Sequence, residues 1–474
     1  MTRQALAVLV LVGSASCYDP RVRAGLNCGP HGECPGQQRC VADICGGELP
    51  DAGDIDADLG PYELTVNLTG LTGPTGAAVR SNLEGIDCGT SCEHSYPPGT
   101  QVMLRVDLEN GSNLRFKGWR GACAGLDTEC LLSMDGDRVV TAEFVAVTHN
   151  LVFVTRNSYN LRVLGQGAFD NNCNGAASAA GLNNTSNDGF RAWVSDEQTT
   201  AINDLAGARG WVRMDGLPVF DALTDIDAGR IFNPISIDEG GREVLAQVVT
   251  GTHADASAGD HCSGWTGGGL VTLGQSTGGP TTWTDHATPS CSTVLRAPIY
   301  CFQRTQNLAL VLPPPPVGSK RLFVTRGSFT PGLGGLDRAD ALCAAESPTD
   351  SSAPFRALLS RDGQPAGNLL AATTAYSSMS GQLIASGREL LDGARLHTGI
   401  WQHGDGGFLF APTVAERQVR TGSTRPSLVS GDCGNWSSTS GATTNGLASE
   451  IVGWWATVFS QPCADAMRLY CVEQ

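Results

Sequence analysis

The sequence predicts a multidomain, β-rich chain stapled by disulfides, in which a β-rich spacer repeat is followed by two copies of one α+β domain. Three observations predict it. The 474 residues carry 60 Gly and 24 Pro but only 16% charged residues, a profile of short strands and many turns rather than long surface helices. Setting Cys17 aside, the 17 cysteines fall into four sets of four, each confined to one segment. The last two-thirds of the chain also repeats itself.

Residues 1–16 read as an export signal, with Arg3 ahead of an apolar run from Ala5 to Val12 and small residues from Gly13 to Ser16. Cys17 follows directly. This start resembles the lipobox of bacterial lipoproteins, which implies a lipid on Cys17. Ser14 stands where that family usually carries Leu, so ordinary cleavage and release is the alternative. Segment 17–46 sets Cys28, Cys34, Cys40 and Cys45 among Gly and Pro with too little apolar surface for a core, so two disulfides must hold it. Residues 47–61 are an acidic linker with Glu48, Asp51, Asp54, Asp56 and Asp58, self-repelling and solvated. They lack the glycine and distal glutamate of a calcium loop.

From 62 to 146 the pattern changes to alternation, with Leu64, Val66, Leu68, then Val102, Leu104, Val106, then Val140, Ala142, Phe144, which predicts short antiparallel strands. Cys88 and Cys92 share a loop, Gly118-Trp119 makes a turn, Cys123 and Cys130 follow, and Thr141-Ala142-Glu143-Phe144 ends the segment. This order resembles the divergent internalin-type B-repeat of bacterial surface proteins, which implies a small β-rich spacer with Trp119 in its core. Four cysteines allow three connectivities, and the spacing does not choose among them.

The repeat lies at 150–304 and 320–474, separated by a linker, 305–319, whose Pro313 to Pro316 reads as a stiff spacer. Phe153-Val154-Thr155-Arg156 recurs as Phe323-Val324-Thr325-Arg326, and Phe190-Arg191-Ala192 with Ser195 recurs as Phe355-Arg356-Ala357 with Ser360. Trp265 and Trp283 stand at the same distances from Cys262 as Trp436 and Trp454 from Cys433. The closing Tyr300-Cys301 recurs as Tyr470-Cys471. The F-R-A-x-x-S run, the C-x-x-W pair and the closing Y-C resemble the endostatin-like branch of the C-type lectin-like fold, shared with a family of bacterial surface lipoproteins. That resemblance implies nested disulfides, Cys173 with Cys301 around Cys262 with Cys291, and Cys343 with Cys471 around Cys433 with Cys463.

Charge and motifs exclude several functions. A net charge of -16 opposes nucleic-acid binding. The lysines Lys117 and Lys320 lie in no phosphate loop, and no H-E-x-x-H or C-x-x-C occurs. The sugar-binding E-P-N, Q-P-D and W-N-D runs of calcium-dependent lectins are missing, and with every domain cysteine assigned a partner no free thiol nucleophile is left. Neither catalysis, nor a metal, nor a cofactor is expected. The repeated tryptophans read as core. Trp455, with no counterpart in the first copy, reads as exposed, and His253, Asp255 and His261, near Asp260, Asp285 and His286, make a polar loop. These four, Trp455, His253, Asp255 and His261, are the expected binding surface. The expectation is an exported lipoprotein, anchored through Cys17 at the outer membrane or cell surface, that binds an extracellular protein or polysaccharide. The alternatives are a secreted form, a structural envelope protein without a ligand and, after those, an enzyme on a C-type lectin-like fold. Intact mass of the soluble fragment from Tyr62 onward is expected to show no free thiol; a reactive thiol in either copy would reopen the enzyme reading.

Overall fold

The computed structural model describes residues 26–28, 33–34, 39–41, 44–47 and 60–474, apart from 72–75, 109–113, 126, 147, 163–164, 183–188, 333, 430 and 458–459. Residues 1–16, expected to be an export signal, Cys17 and nearly all of the acidic linker lie outside the described residues. The chain divides into two compact units, Met1–Tyr62 and Glu63–Gln474. It is β-rich, with many small sheets, few helices and eight disulfides among the described residues. No helix among the described residues is long and apolar enough to cross a membrane.

The first unit is a three-stranded antiparallel sheet in the order Leu26–Asn27, Ile44–Gly47, Arg39–Val41. The interleaved bridges Cys28–Cys40 and Cys34–Cys45 hold it. These bridges also bring the sulfurs of Cys28, Cys34 and Cys45 together, but a disulfide sulfur has no thiolate to offer a metal.

The β-module of the second unit has two four-stranded sheets. One runs Glu129–Ser133, Gln101–Leu108, Ala77–Ser81, Asp87–Cys88, and the other Glu93–Tyr96, Tyr62–Thr69, Arg138–Ala146, Leu114–Gly121. Alternation buries Leu64 and Val66, Val102, Leu104 and Val106, and Val140, Ala142 and Phe144, while Leu68 is half-buried. Trp119 is core, close to Phe116. One expectation fails. The first and last strands, Tyr62–Thr69 and Arg138–Ala146, pair in parallel, because the intervening chain crosses to the other sheet before returning. The cysteines close as Cys88–Cys92 and Cys123–Cys130, each stapling a local loop.

Each copy then forms a five-stranded sheet of the same order. In the first it is Phe190–Ala192, Tyr300–Gln303, Asn150–Val154, Trp211–Arg213, Pro218–Phe220, and in the second Phe355–Ala357, Tyr470–Glu473, Lys320–Val324, Ala375–Ser377, Leu383–Ser386. Register repeats too, with Phe153 opposite Cys301 and Phe323 opposite Cys471. The helices Gly167–Ala179 and Gly335–Ala345 are tied to the last strands by Cys173–Cys301 and Cys343–Cys471, each closing a sequence separation of 128 residues. Loops of that length assign each bridge about 4–5 kcal/mol on chain-entropy grounds. The inner bridges are Cys262–Cys291 and Cys433–Cys463.

The proline run does not hold the copies apart. Within 305–319, Leu310 donates its N–H to Asp221 of the first copy at 2.7 Å, and Pro315 lies against Gly381 of the second. One continuous apolar core includes Trp193, Trp283 and Phe302 together with Trp401, Trp454 and Tyr470. Across the joint Trp401 Nε1 donates to the Ile231 carbonyl at 2.9 Å, Thr398 Oγ1 to the Phe232 carbonyl at 2.6 Å, and the Gly279 N–H to the Ser449 carbonyl at 2.7 Å. Glu450, 8% exposed, is enclosed there beside Thr282 and Arg417, and burial pushes its carboxyl up to about 7.

The folded carboxyl thus holds its proton more tightly than the unfolded one, whose ordinary value is 4.5. Stability is therefore expected to fall by about 3 kcal/mol as pH rises from about 4.5 to about 7, a descent that Glu450→Gln lacks. Urea unfolding of both proteins at pH 5 and pH 8 measures this; equal pH slopes would mean that the joint leaves Glu450 in water.

Candidate functional site

Two clefts of similar size lie at the same place in both copies. In the second copy, the end of helix Gly335–Ala345, the residues after strand Lys320–Val324 and the turn 403–406 enclose about 660 Å³. In the first, the matching pieces, Arg156, Ala180, Glu239 and Gly240, line about 730 Å³. The difference is the roof. Arg105, Asp127, Thr128 and Glu129 of the β-module line the first cleft, and Arg242 pairs with Asp127 at 3.2 Å. Among the described residues, none from the module lines the second.

The polar groups of the second cleft are held by one another. Arg326 places Nη2 2.9 and 2.8 Å from the two carboxylate oxygens of Asp405. Arg321 bonds Glu473 at 2.9 Å and the exposed Asp350 at 2.8 Å. Glu346 accepts the N–H groups of Arg326 at 2.6 Å and Gly327 at 2.8 Å. His403, 4% exposed, has Nδ1 2.8 Å from the Val324 carbonyl. A carbonyl only accepts, so Nδ1 carries the proton and Nε2 keeps its lone pair. Burial first, then Arg326 and Arg468, push this imidazole below its ordinary value, so it is neutral at pH 7. The cleft therefore offers guanidinium donors, carboxylates and a neutral imidazole acceptor, a set suited to gripping a polar ligand.

The copies supply one bond from different places. In the first copy the carboxylate that accepts the Arg156 N–H, at 3.0 Å, is Glu239. The matching position in the second copy is Gly404, where an added Cβ would meet the Glu346 carbonyl at 1.8 Å, and the carboxylate comes instead from Glu346, three residues after Cys343, where the first copy has Ala176 three residues after Cys173.

Of the expected binding surface, Trp455 is not exposed. Trp455 is 2% exposed, with Nε1 3.2 Å from Ser423 Oγ and its ring against Trp454. It lacks a counterpart because bulk has moved: the first copy bonds Trp193 to Thr284, and at the matching positions the second has Leu358 and Trp455, both in the same core. His253 pairs with Asp285 at 3.0 Å, and Asp255 accepts from Ser257. His261 accepts the Gly264 N–H at 2.9 Å, and His286 lies 3.8 Å from Glu450 of the other copy. One catalytic-looking run, Gly274-Gln275-Ser276-Thr277-Gly278, matches the G-x-S-x-G of hydrolases. Ser276 is fully buried and bonded to the backbone of Val244 and Ala246, so it is no exposed nucleophile. The residues missed from sequence are Arg321, Arg326, Glu346, Asp350, His403 and Asp405, of which the T-R repeat marked only Arg326. No protein-family model matches the chain, and no curated protein matches it.

Glu346→Ala leaves two N–H groups without their charged acceptor and is expected to destabilise the second unit by roughly 2 kcal/mol in chemical denaturation. An unchanged midpoint would mean that water replaces the carboxylate.

Proposed function

We propose that this is an exported binding lipoprotein, tethered through Cys17 to the cell envelope, whose two copies are endostatin-like members of the C-type lectin-like fold. Its open cleft recognises an extracellular protein or polysaccharide without calcium. The observation that carries the reading is the pair of equivalent clefts, one roofed by the chain's own β-module and one open. The roofed copy positions the module, which resembles an internalin-type spacer, and the open copy meets the ligand. Disulfide pairing of all the cysteines from Cys28 onward supports an oxidising, exported location.

A structural envelope protein without a ligand is the second reading, favoured by the unbroken packing from one copy into the other. The test is a matrix-protein and polysaccharide array with the full chain, run with calcium and with chelator. Saturable binding that survives chelation and drops at least tenfold in Asp350→Arg, an exposed change within the open cleft, is expected. Binding indifferent to that change places recognition elsewhere, and no binding at all selects the structural reading.

A further inference from the structure

The two copies differ at one buried cross-strand pair. In the first, strands Gln247–Val249 and Leu273–Gln275 set Val249 opposite Leu273, and both are fully buried. In the second, strands Gln418–Arg420 and Ala442–Leu447 set Arg420 opposite Asn445, at 0% and 1% exposure. Directly opposed residues of an antiparallel pair put their side chains on one face, with Cβ atoms about 5 Å apart. An apolar contact has thus become a buried guanidinium beside a buried amide.

Their hydrogen bonds are incomplete. Arg420 Nη1 and Nη2 donate to the Pro462 carbonyl at 3.3 Å, and Nη2 also donates to the Asp465 carbonyl. Its Nε–H has no acceptor, and neither Nδ2 nor Oδ1 of Asn445 has a partner. Among the described residues no carboxylate forms an ion pair with Arg420; the exposed Asp465 side chain acts on it only at longer range. Burial pushes the guanidinium down to about 10, so it stays charged at neutral pH. A buried ion without a counter-ion costs several kcal/mol, and each buried donor left unmade adds to that. Water would answer the hydrogen bonds and leave the charge.

We propose that the second copy encloses a small monovalent anion of halide size between Arg420 and Asn445, held by the guanidinium Nε–H and the amide N–H. The first copy, with Val249 and Leu273 there, has no such site. The proposal is independent of what the open cleft binds.

Thermal unfolding of the full chain is compared in chloride and in methanesulfonate at equal ionic strength. Tm is expected to rise by roughly 2–4 °C for each tenfold increase in chloride above its dissociation constant. The double variant Arg420→Val, Asn445→Leu carries the first copy's pair and is expected to unfold at a chloride-independent Tm. Crystals of the wild-type protein grown in bromide are expected to give an anomalous peak beside Arg420 Nε, a readout that stands even if the variant does not fold. A chloride response that the variant keeps, or the absence of a bromide peak at Arg420, overturns the proposal and leaves a site for water only.

Discussion

Each copy depends on the meeting of its first and last strands. Asn150–Val154 lies between Tyr300–Gln303 and Trp211–Arg213, and Lys320–Val324 is placed the same way, so no sheet is complete until the end of the copy arrives. The outer disulfide ties the helix to that last strand, and a carboxylate on the same helix reinforces it. Asp170 accepts the Ala192 N–H at 2.8 Å and Asp340 the Ala357 N–H at 3.0 Å. With the ends fixed, the long excursion between them can adopt backbone that would not persist alone. Cys262 to Trp265 and Cys433 to Trp436 all have φ between 51° and 68°, a left-handed turn in each copy. Each non-glycine residue there costs about 1–2 kcal/mol. The inner disulfide and the buried indoles of Trp265 and Trp436, each lying over a glycine, Gly251 or Gly422, hold it.

On this shared frame the copies have diverged by exchange rather than by loss. Indole bulk moves from position 193 to position 455, and a carboxylate moves from Glu239 to Glu346, while the packing and the bond each survive. What does change is access. The module covers one cleft, and the joint between the copies buries Trp401, Trp454 and Glu450. Surface that two independent domains would share with solvent is spent on holding 63–474 together, which leaves the cleft around His403 and Arg326 as the open one of the pair.

Local and periodic features were legible in the sequence. The alternation at Val102, Leu104 and Val106, the even cysteine sets and the offsets between Phe153 and Phe323 or Trp265 and Trp436 all need only spacing. Cysteine pairing inside the copies needed a resemblance, and in the module it needed the structure. Features set by distant partners were not legible. Trp455 looks unmatched until Leu358 is seen to be small where Trp193 is large. Pro313 to Pro316 reads as a spacer because nothing in its composition reveals Asp221 or Gly381 beside it. The cleft groups come from four separated stretches, and charged residues such as Arg321 and Asp350 are ordinary surface residues until folding sets them together.

The exchanged carboxylate also ties two distant segments of each copy to one another. A hybrid copy that took its helix from one repeat and its turn from the other would combine Ala176 with Gly404 or Glu346 with Glu239. The first hybrid has no acceptor for the arginine N–H, and the second forces two carboxylates toward it. Either product is handicapped, so the helix and the turn of a copy work only as a matched pair.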